Sequence, residues 1–478
     1  MNFKNDVYRN VFKMPAVLYF RKKQMDNIKK YIEQNKERFL NELFNLLRIP
    51  SVSAQKDNKE TMYRAATNVK DVFISSGCAQ ARVMDTEGWP VVYGEKIINP
   101  ELPTVLVYGH YDVQPPEPLE EWTSHPFKPV IRDDKIYGRG ADDDKGQLFM
   151  QIKAFEYMVK DNKLPCNVKF LVEGEEEISS PSLKKFCIEN KKMLEADVIL
   201  VSDTTMLSLA EPTITTGLRG IAYFELTITG PNRDLHSGLY GGVVNNPANV
   251  LATIIASLKD ADGCILIPGF YDNVVELSEE ERELLNRVSF NEVQFANNIK
   301  VKKLHVERGY TVLEGIGIRP TLDVNGIWGG YTGQGAKTIM PSRASAKISM
   351  RLVPNQDPEK IKNIFNSYLQ KVVPDSVTYQ LTPLHGGNPY VISYDTREMR
   401  SAVAAIEKVF GKRPLPVRSG GSIPVVADFE EVLGIKTVLM GFGLDTDAIH
   451  SPNENFPLQN FYKGIESIAW FYYYYNAD

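Results

Sequence analysis

Residues 104–110 read TVLVYGH, an apolar run that ends on a histidine and is followed at once by Tyr111 and Asp112. Its length and near-continuous apolarity fit a strand buried on both faces, as in a parallel sheet. A second run, VKFLVEG (168–174), has the same character, and between the two Leu148, Ile152, Phe155 and Val159 recur at helical spacing. Strand, helix, strand is the rhythm of an α/β domain. ADVILVSD (196–203) and, much later, KTVLMGF (436–442) continue the pattern. Ligands in open α/β sheets gather at the carboxyl ends of the strands. Those ends here carry His110, then Glu175-Glu176-Glu177, then Asp203, and shortly after the last run Asp445, Asp447 and His450.

Outward from these runs the texture changes and then returns. Residues 25–47 place Ile28, Ile32, Phe39, Leu43 and Leu46 on one face of an amphipathic helix. From 217 onward IAYFELTITG (221–230), AKISMRLVP (346–354) and VTYQLTPLH (377–385) alternate as antiparallel strands do, around a helix at 246–259. After about 390 the α/β texture resumes and closes on a helix from about 457. The expected fold class is therefore α/β, with a mostly parallel sheet built from 1–216 and 389–478 and an α+β domain, 217–388, inserted between them. Hinges are expected near 215–217 and 386–390, and the polar stretch 276–306 carries the weakest pattern.

Composition excludes several function classes. With 478 residues, 43% hydrophobic and 24% charged, the chain is long enough for two packed cores. A net charge of −5 without a basic, aromatic-laced block argues against a nucleic-acid partner. The four cysteines, Cys78, Cys166, Cys187 and Cys264, lack the spacing of a zinc knuckle or disulfide framework. Met14–Phe20 is too short for a signal-peptide core and no 18-residue apolar span occurs, so no membrane association and a cytoplasmic location are expected.

The segment GRGADDDKG (138–146) adds three consecutive aspartates at a loop-to-helix junction on the same rim. So many carboxylates would repel one another unless cations neutralise them. Carboxylates with imidazoles and no thiolates suit zinc, and also manganese or cobalt. Two histidines with three or more carboxylates exceed one four-coordinate ion, so two metals are expected. Such a pair implies hydrolysis by an activated water, with a remaining carboxylate as general base.

His110-Tyr111-Asp112, GRGADDDKG, VEGEEE (172–177), Asp203, GLRGIAYFEL (217–226), DLHSGLYGG (234–242), GAKTIMP (335–341), RLVPN (351–355), HGGNP (385–389), GGSIPV (420–425) and HSPNE (450–454) together resemble the co-catalytic di-zinc metallopeptidases. That family includes carnosinase, cytosolic non-specific dipeptidase, carboxypeptidase G, aminoacylase and succinyl-diaminopimelate desuccinylase, and the dipeptidase branch is most similar. The likeness runs in order from about residue 38 to the C-terminus, leaving 1–24 outside it.

The resemblance implies roles for particular residues. His110, Asp143, Glu177, Asp203 and His450 would hold two divalent ions, with Asp143 shared and the peptide after it cis. Glu176 would be the general base, and Asp112 would orient His110. His236, reaching from a partner subunit, would steady the oxyanion; Arg351, His385, Gly421 and Ser422 would contact the substrate. The inserted domain would then serve as lid and dimerisation surface of a homodimer. Asp142 and Glu175 receive no role, and Asp142 is expected to be solvated. An aspartate at 203, where ureido-hydrolysing relatives carry histidine, favours a peptidase or deacylase. One departure stands out: Ser419 occupies the place of a glutamate usual in the dipeptidase branch. Dipeptides with a free C-terminal carboxylate and N-acyl amino acids both fit as substrates.

Overall fold

The computed structural model describes residues 25–476 apart from 26, 56 and 161; the apolar stretch 14–20 lies outside them. TVLVYGH forms the strand Thr104–His110 at the middle of a nine-stranded sheet. It pairs in parallel with Asn167–Glu173 on one side and Val198–Val201 on the other, and Thr437–Leu439 adds a further parallel neighbour. These strands are buried along most or all of their length, as their unbroken apolar runs require. The margins of the sheet are mostly antiparallel, with Leu415–Ser419 added in parallel to Thr213–Leu218. On one side the hairpin of Gln80–Met84 and Val91–Lys96 joins the Asn167 strand, and on the other Thr213–Leu218 pairs antiparallel with Thr437–Leu439 and Tyr390–Val391. Gln80–Met84 and Val91–Lys96 are joined by a short turn without a crossover, and so run antiparallel.

The chain leaves this sheet after Leu218 and re-enters it at Tyr390. Between those points lies a separate four-stranded antiparallel sheet, ordered Thr321–Gly329, Arg343–Leu352, Gly220–Thr229, Thr378–Gly387. Its buried face alternates along Phe224, Leu226, Ile228 and Ala346, Ile348, Met350, and the helices Pro247–Ser257 and Pro358–Val372 cover it. This apolar cluster is distinct from the one around the large sheet. The polar stretch 276–306 contains two short helices, Glu279–Asn286 and Glu292–Asn298, each started by a side-chain cap from Ser278 or Asn291.

Around the large sheet, helix Lys145–Lys160 is buried on nearly every side, packed between the amphipathic helix Ile28–Leu47 and the closing helix Leu458–Tyr475. Its Lys153 ammonium is wholly buried and pairs with Glu156 at 2.8 Å and Glu42 at 2.6 Å; Arg38, Lys160 and Tyr31 also bond to Glu156. Burial pushes the Glu156 carboxyl up, but the hydrogen bonds from Arg38 and Lys153 hold it well below its ordinary value. A depressed carboxylate stabilises the fold above its unfolded pKa and loses that contribution as pH falls. Glu156→Ala should therefore cost about 3 kcal/mol at neutral pH, since it strands a buried ammonium that Glu42 satisfies only in part. Urea melts at pH 7 and pH 4 test this: the gap between parent and variant should narrow at the lower pH.

Candidate metal centre

The strand Thr104–His110 ends with its histidine fully buried, and the neighbouring strand ends hand Glu176, Glu177 and Asp203 to the same rim. The fourth contribution is the aspartate loop before helix Lys145–Lys160, and the fifth is the loop that carries His450, at φ 59°. His110 Nε2 lies 3.1 Å from Asp143 Oδ1 and 3.9 Å from Asp203 Oδ2. His450 Nε2 lies 2.8 Å from the other Asp143 oxygen and 3.1 Å from Glu177 Oε2. Two groups result, His110/Asp143/Asp203 and Asp143/Glu177/His450, each with ligand atoms within 4.8 Å of one another. Asp143 belongs to both, one oxygen facing each imidazole, and the Asp143–Asp144 peptide is cis.

Several neighbours hold this arrangement. Asp112 sets its carboxylate 3.4 Å from His110 Nδ1 and accepts the backbone N–H groups of Glu176 and Glu177. One buried aspartate thus orients the imidazole and pins the turn that bears both glutamates. Glu177 also accepts the Gln114 backbone and side-chain N–H groups at 3.1 and 2.8 Å. Asp144 accepts the His110 backbone N–H at 3.1 Å, and Glu175 accepts those of Trp89 and Ser182, so neither is a spare acid.

Like charges are crowded among these residues. Burial, followed by neighbouring like charges, pushes the Glu177 carboxyl up and the Asp203 carboxyl well up. Burial also raises Glu176 well above the ordinary range, with Glu177 and Asp143 adding to it against the opposing pull of His110. Burial acts the same way on Asp143, yet hydrogen bonds from His110 and His450 override it and hold that carboxyl far down. Hydrogen bonds to Asp143 and Glu177 raise His450 to about 10. Positive charge is thus in demand between these residues, and an oxygen–nitrogen donor set without thiolate fits divalent zinc, manganese or cobalt.

A cavity of about 210 Å³ opens onto the cluster. Asp143, Glu176, Asp203 and His450 line it, together with Ser419, Gly421, Ser422 and Ile423. Arg351 reaches this lining by donating to Ser422 Oγ at 2.8 Å, which ties the antiparallel sheet to the loop after Leu415–Ser419. His385 stacks edge-on against Tyr223, 5.1 Å between centroids, and burial and then Arg351 pull its pKa down. His236 is exposed, its Nδ1 accepting the Gly238 N–H. Neither His236 nor His385 lines the cavity.

Asp142 departs from the expectation of a solvated side chain. It is fully buried, both carboxyl oxygens lack a hydrogen-bond partner among the described residues, and burial together with Asp447 pushes its pKa far up. The reason is steric and distant in sequence. Glu454 gathers the loop's backbone N–H groups, turning Asp142 inward onto Gly443, where an added Cβ would lie 2.5 Å from Oδ2. Asp142 is a carboxyl group packed beneath the site, held without a hydrogen-bond partner among the described residues. Glu454 itself escaped the sequence reading, although it closes the HSPNE motif.

No described helix is long and apolar enough to cross a membrane. Residues 106–472 match the model of peptidase family M20/M25/M40. The Cys-Gly metallodipeptidase dug1 of Schizosaccharomyces pombe is 32% identical over 93% of this chain and 97% of its own. The human Beta-Ala-His dipeptidase is 33% identical over 80% of this chain and 77% of its own. Among solved structures, an M20 family metallo-carboxypeptidase, Sso-CP2 from Sulfolobus solfataricus, superposes with a TM-score of 0.82 at 36% identity, covering 92% of this chain and 99% of its own. With paired ligand groups at its strand ends and these relatives along nearly its whole length, the chain belongs to peptidase family M20/M25/M40, as a metallohydrolase of the dipeptidase branch.

Proposed function

We propose that this protein hydrolyses the amide bond of dipeptides or short peptides bearing a free C-terminal carboxylate, using two divalent metal ions, zinc first among them. The observation that carries this reading is the pair of ligand groups joined at Asp143, with Glu176 on the same cavity but in neither group. His110, Asp143 and Asp203 would hold one ion and Asp143, Glu177 and His450 the other. When bound, such a pair neutralises the crowded carboxylates, acidifies water and polarises a carbonyl. Glu176 takes a proton from the attacking water as its oxygen adds to the scissile carbon. The same carboxyl then delivers that proton to the leaving nitrogen as the C–N bond breaks. Asp112 keeps His110 in one orientation throughout. Arg351 pairs with the substrate carboxylate through its planar fork, with His385, Gly421 and Ser422 beside it.

A homodimer built through the antiparallel sheet completes the reading. His236 is exposed on its own subunit, which supports its acting on the oxyanion of a partner's substrate. The edge strand Thr321–Gly329 exposes Val324, Ile327 and Trp328, and Leu239 and Val243 beside His236 are 74% and 81% exposed. An unpaired edge carrying apolar side chains is ready-made for a second copy.

The relatives are named for Cys-Gly and β-Ala-His. A panel of Cys-Gly, β-Ala-His, Ala-Ala and N-acetyl-Met, offered to metal-depleted protein reloaded with zinc or manganese, tests the substrate class. Metal-dependent cleavage of the free-amine dipeptides is expected, and cleavage of N-acetyl-Met alone would overturn the dipeptidase reading. The second reading, an N-acyl-amino-acid amidohydrolase on the same site, is favoured by Ser419. It lines the cavity with a neutral hydroxyl where an acid would recognise an ammonium. Ser419→Glu should shift the ratio of Ala-Ala to N-acetyl-Met kcat/KM toward Ala-Ala by roughly tenfold, the worth of one charge-assisted contact; an unchanged ratio removes Ser419 as a selectivity element.

A further inference from the structure

The loop 138–143 is held by an acid from the far end of the chain. Glu454 is 1% exposed. Its Oε2 accepts Gly140 N–H at 2.9 Å and Arg139 Nη1 at 2.9 Å, and its Oε1 accepts Asp142 N–H at 3.0 Å and Asp143 N–H at 3.2 Å. Its carbonyl takes the Gly138 N–H at 3.1 Å. The strand that follows, Asn455–Pro457, pairs antiparallel with Lys135–Tyr137, which leads into the same loop. Glu454 is also four residues from His450, whose imidazole meets Asp143. A single carboxylate therefore fixes the backbone beneath Asp143 and anchors the loop that brings His450 to it.

We infer that Glu454 is a positioning residue for the metal pair, acting through Asp143 and His450, and that the ion held by Asp143, Glu177 and His450 depends on it more than the other. The asymmetry follows from the supports. His110 and Asp203 come from the ends of buried strands, and His110 has its own anchors in Asp112 and Asp144. Of the three groups on the second ion, Asp143 and His450 both stand on loops that Glu454 joins. Outer partners of metal ligands are worth on the order of 10–100-fold in metal affinity. The inference rests on the di-metal reading above.

Two variants separate reach from charge. Glu454→Gln keeps the length and loses the charge that balances buried Arg139, while Glu454→Asp keeps the charge and withdraws it by one methylene from three amides. Zn²⁺ is titrated calorimetrically into metal-depleted parent and variants, with circular dichroism and thermal melting of the metal-depleted proteins alongside. The parent should take up two ions; if it binds none, the di-metal reading fails and not this inference alone. In both variants the weaker-supported ion should lose on the order of 10–100-fold in affinity while the other changes little. If Glu454→Gln does not fold, Glu454→Asp decides. Parental affinity at both sites, equal loss at both, or failure of both variants to fold would each overturn the inference, the last two by showing a scaffold role only.

Discussion

Glu176→Gln retains the parental metal content and loses kcat by a factor on the order of 10²–10⁴, the worth of a positioned general base. Three features of the site lead to this expectation. Glu176 lies outside both candidate ligand groups, so the residues that would hold the ions, His110, Asp143 and Asp203 with Glu177 and His450, are left untouched. Its backbone is pinned by the N–H that Asp112 accepts, so the amide would occupy the place of the acid with little movement. Its carboxyl faces the same cavity as Asp143 and Asp203, within which water and a peptide bond must meet. Glutamine matches glutamate in shape and polarity but cannot take and return a proton. The loss should therefore fall on kcat, with KM for Ala-Ala nearly unchanged. Metal analysis of the purified variant and steady-state kinetics on a single dipeptide are sufficient. If metal leaves with the substitution, Glu176 is a ligand; if turnover survives, another group moves the proton.

The parts of this site that were legible in sequence share a physical origin. His110, Glu176, Glu177 and Asp203 sit at the ends of apolar runs, and a parallel sheet brings strand ends together by construction. The paired registers put His110 opposite Glu173, three residues short of the glutamates at issue. The antiparallel sheet was legible for a similar reason, since alternation along Gly220–Thr229 and Arg343–Leu352 marks one buried face. What escaped depends on contacts distant in sequence. Asp142 and Asp143 are neighbours with the same side chain, yet one bridges two imidazoles and the other is a buried acid. Glu454, more than three hundred residues away, holds the backbone N–H groups of both, and from that backbone Asp142 turns onto Gly443 while Asp143 meets the imidazoles. Nothing in the local run DDD distinguishes them. Glu454 looks from sequence like an exposed acid ending a loop, and only the strand pairing of Asn455–Pro457 with Lys135–Tyr137 reveals why it is buried. The hairpin Gln80–Met84 and Val91–Lys96 was missed because its first strand is half exposed and carries no clear alternation.

Asp143→Ala should abolish binding of both ions, where Asp203→Ala should remove only one. Each oxygen of Asp143 faces a different imidazole, so truncation takes a ligand from both groups at once. An outer partner already commands on the order of 10–100-fold in affinity, and a shared direct ligand should exceed that at each site. The pH dependence carries the same signature. Without metal, the two imidazoles that would bind the ions favour their protonated form. Burial pulls His110 down, but hydrogen bonds to Asp112 and Asp143 more than restore it and hold it well above its ordinary value, and His450 sits near 10. Ligand nitrogens must lose those protons to coordinate, so uptake releases them and affinity rises with pH through the neutral range. In Asp143→Ala the proton on His450 loses its strongest acceptor, leaving Glu177, so its pKa should fall back toward the ordinary histidine range. Two measurements then agree or conflict: calorimetric Zn²⁺ titration at pH 6, 7 and 8, and histidine titration by NMR on metal-free protein. Retention of either ion at parental affinity in Asp143→Ala would show that Asp143 does not bridge, and the two groups would have to be treated as independent sites.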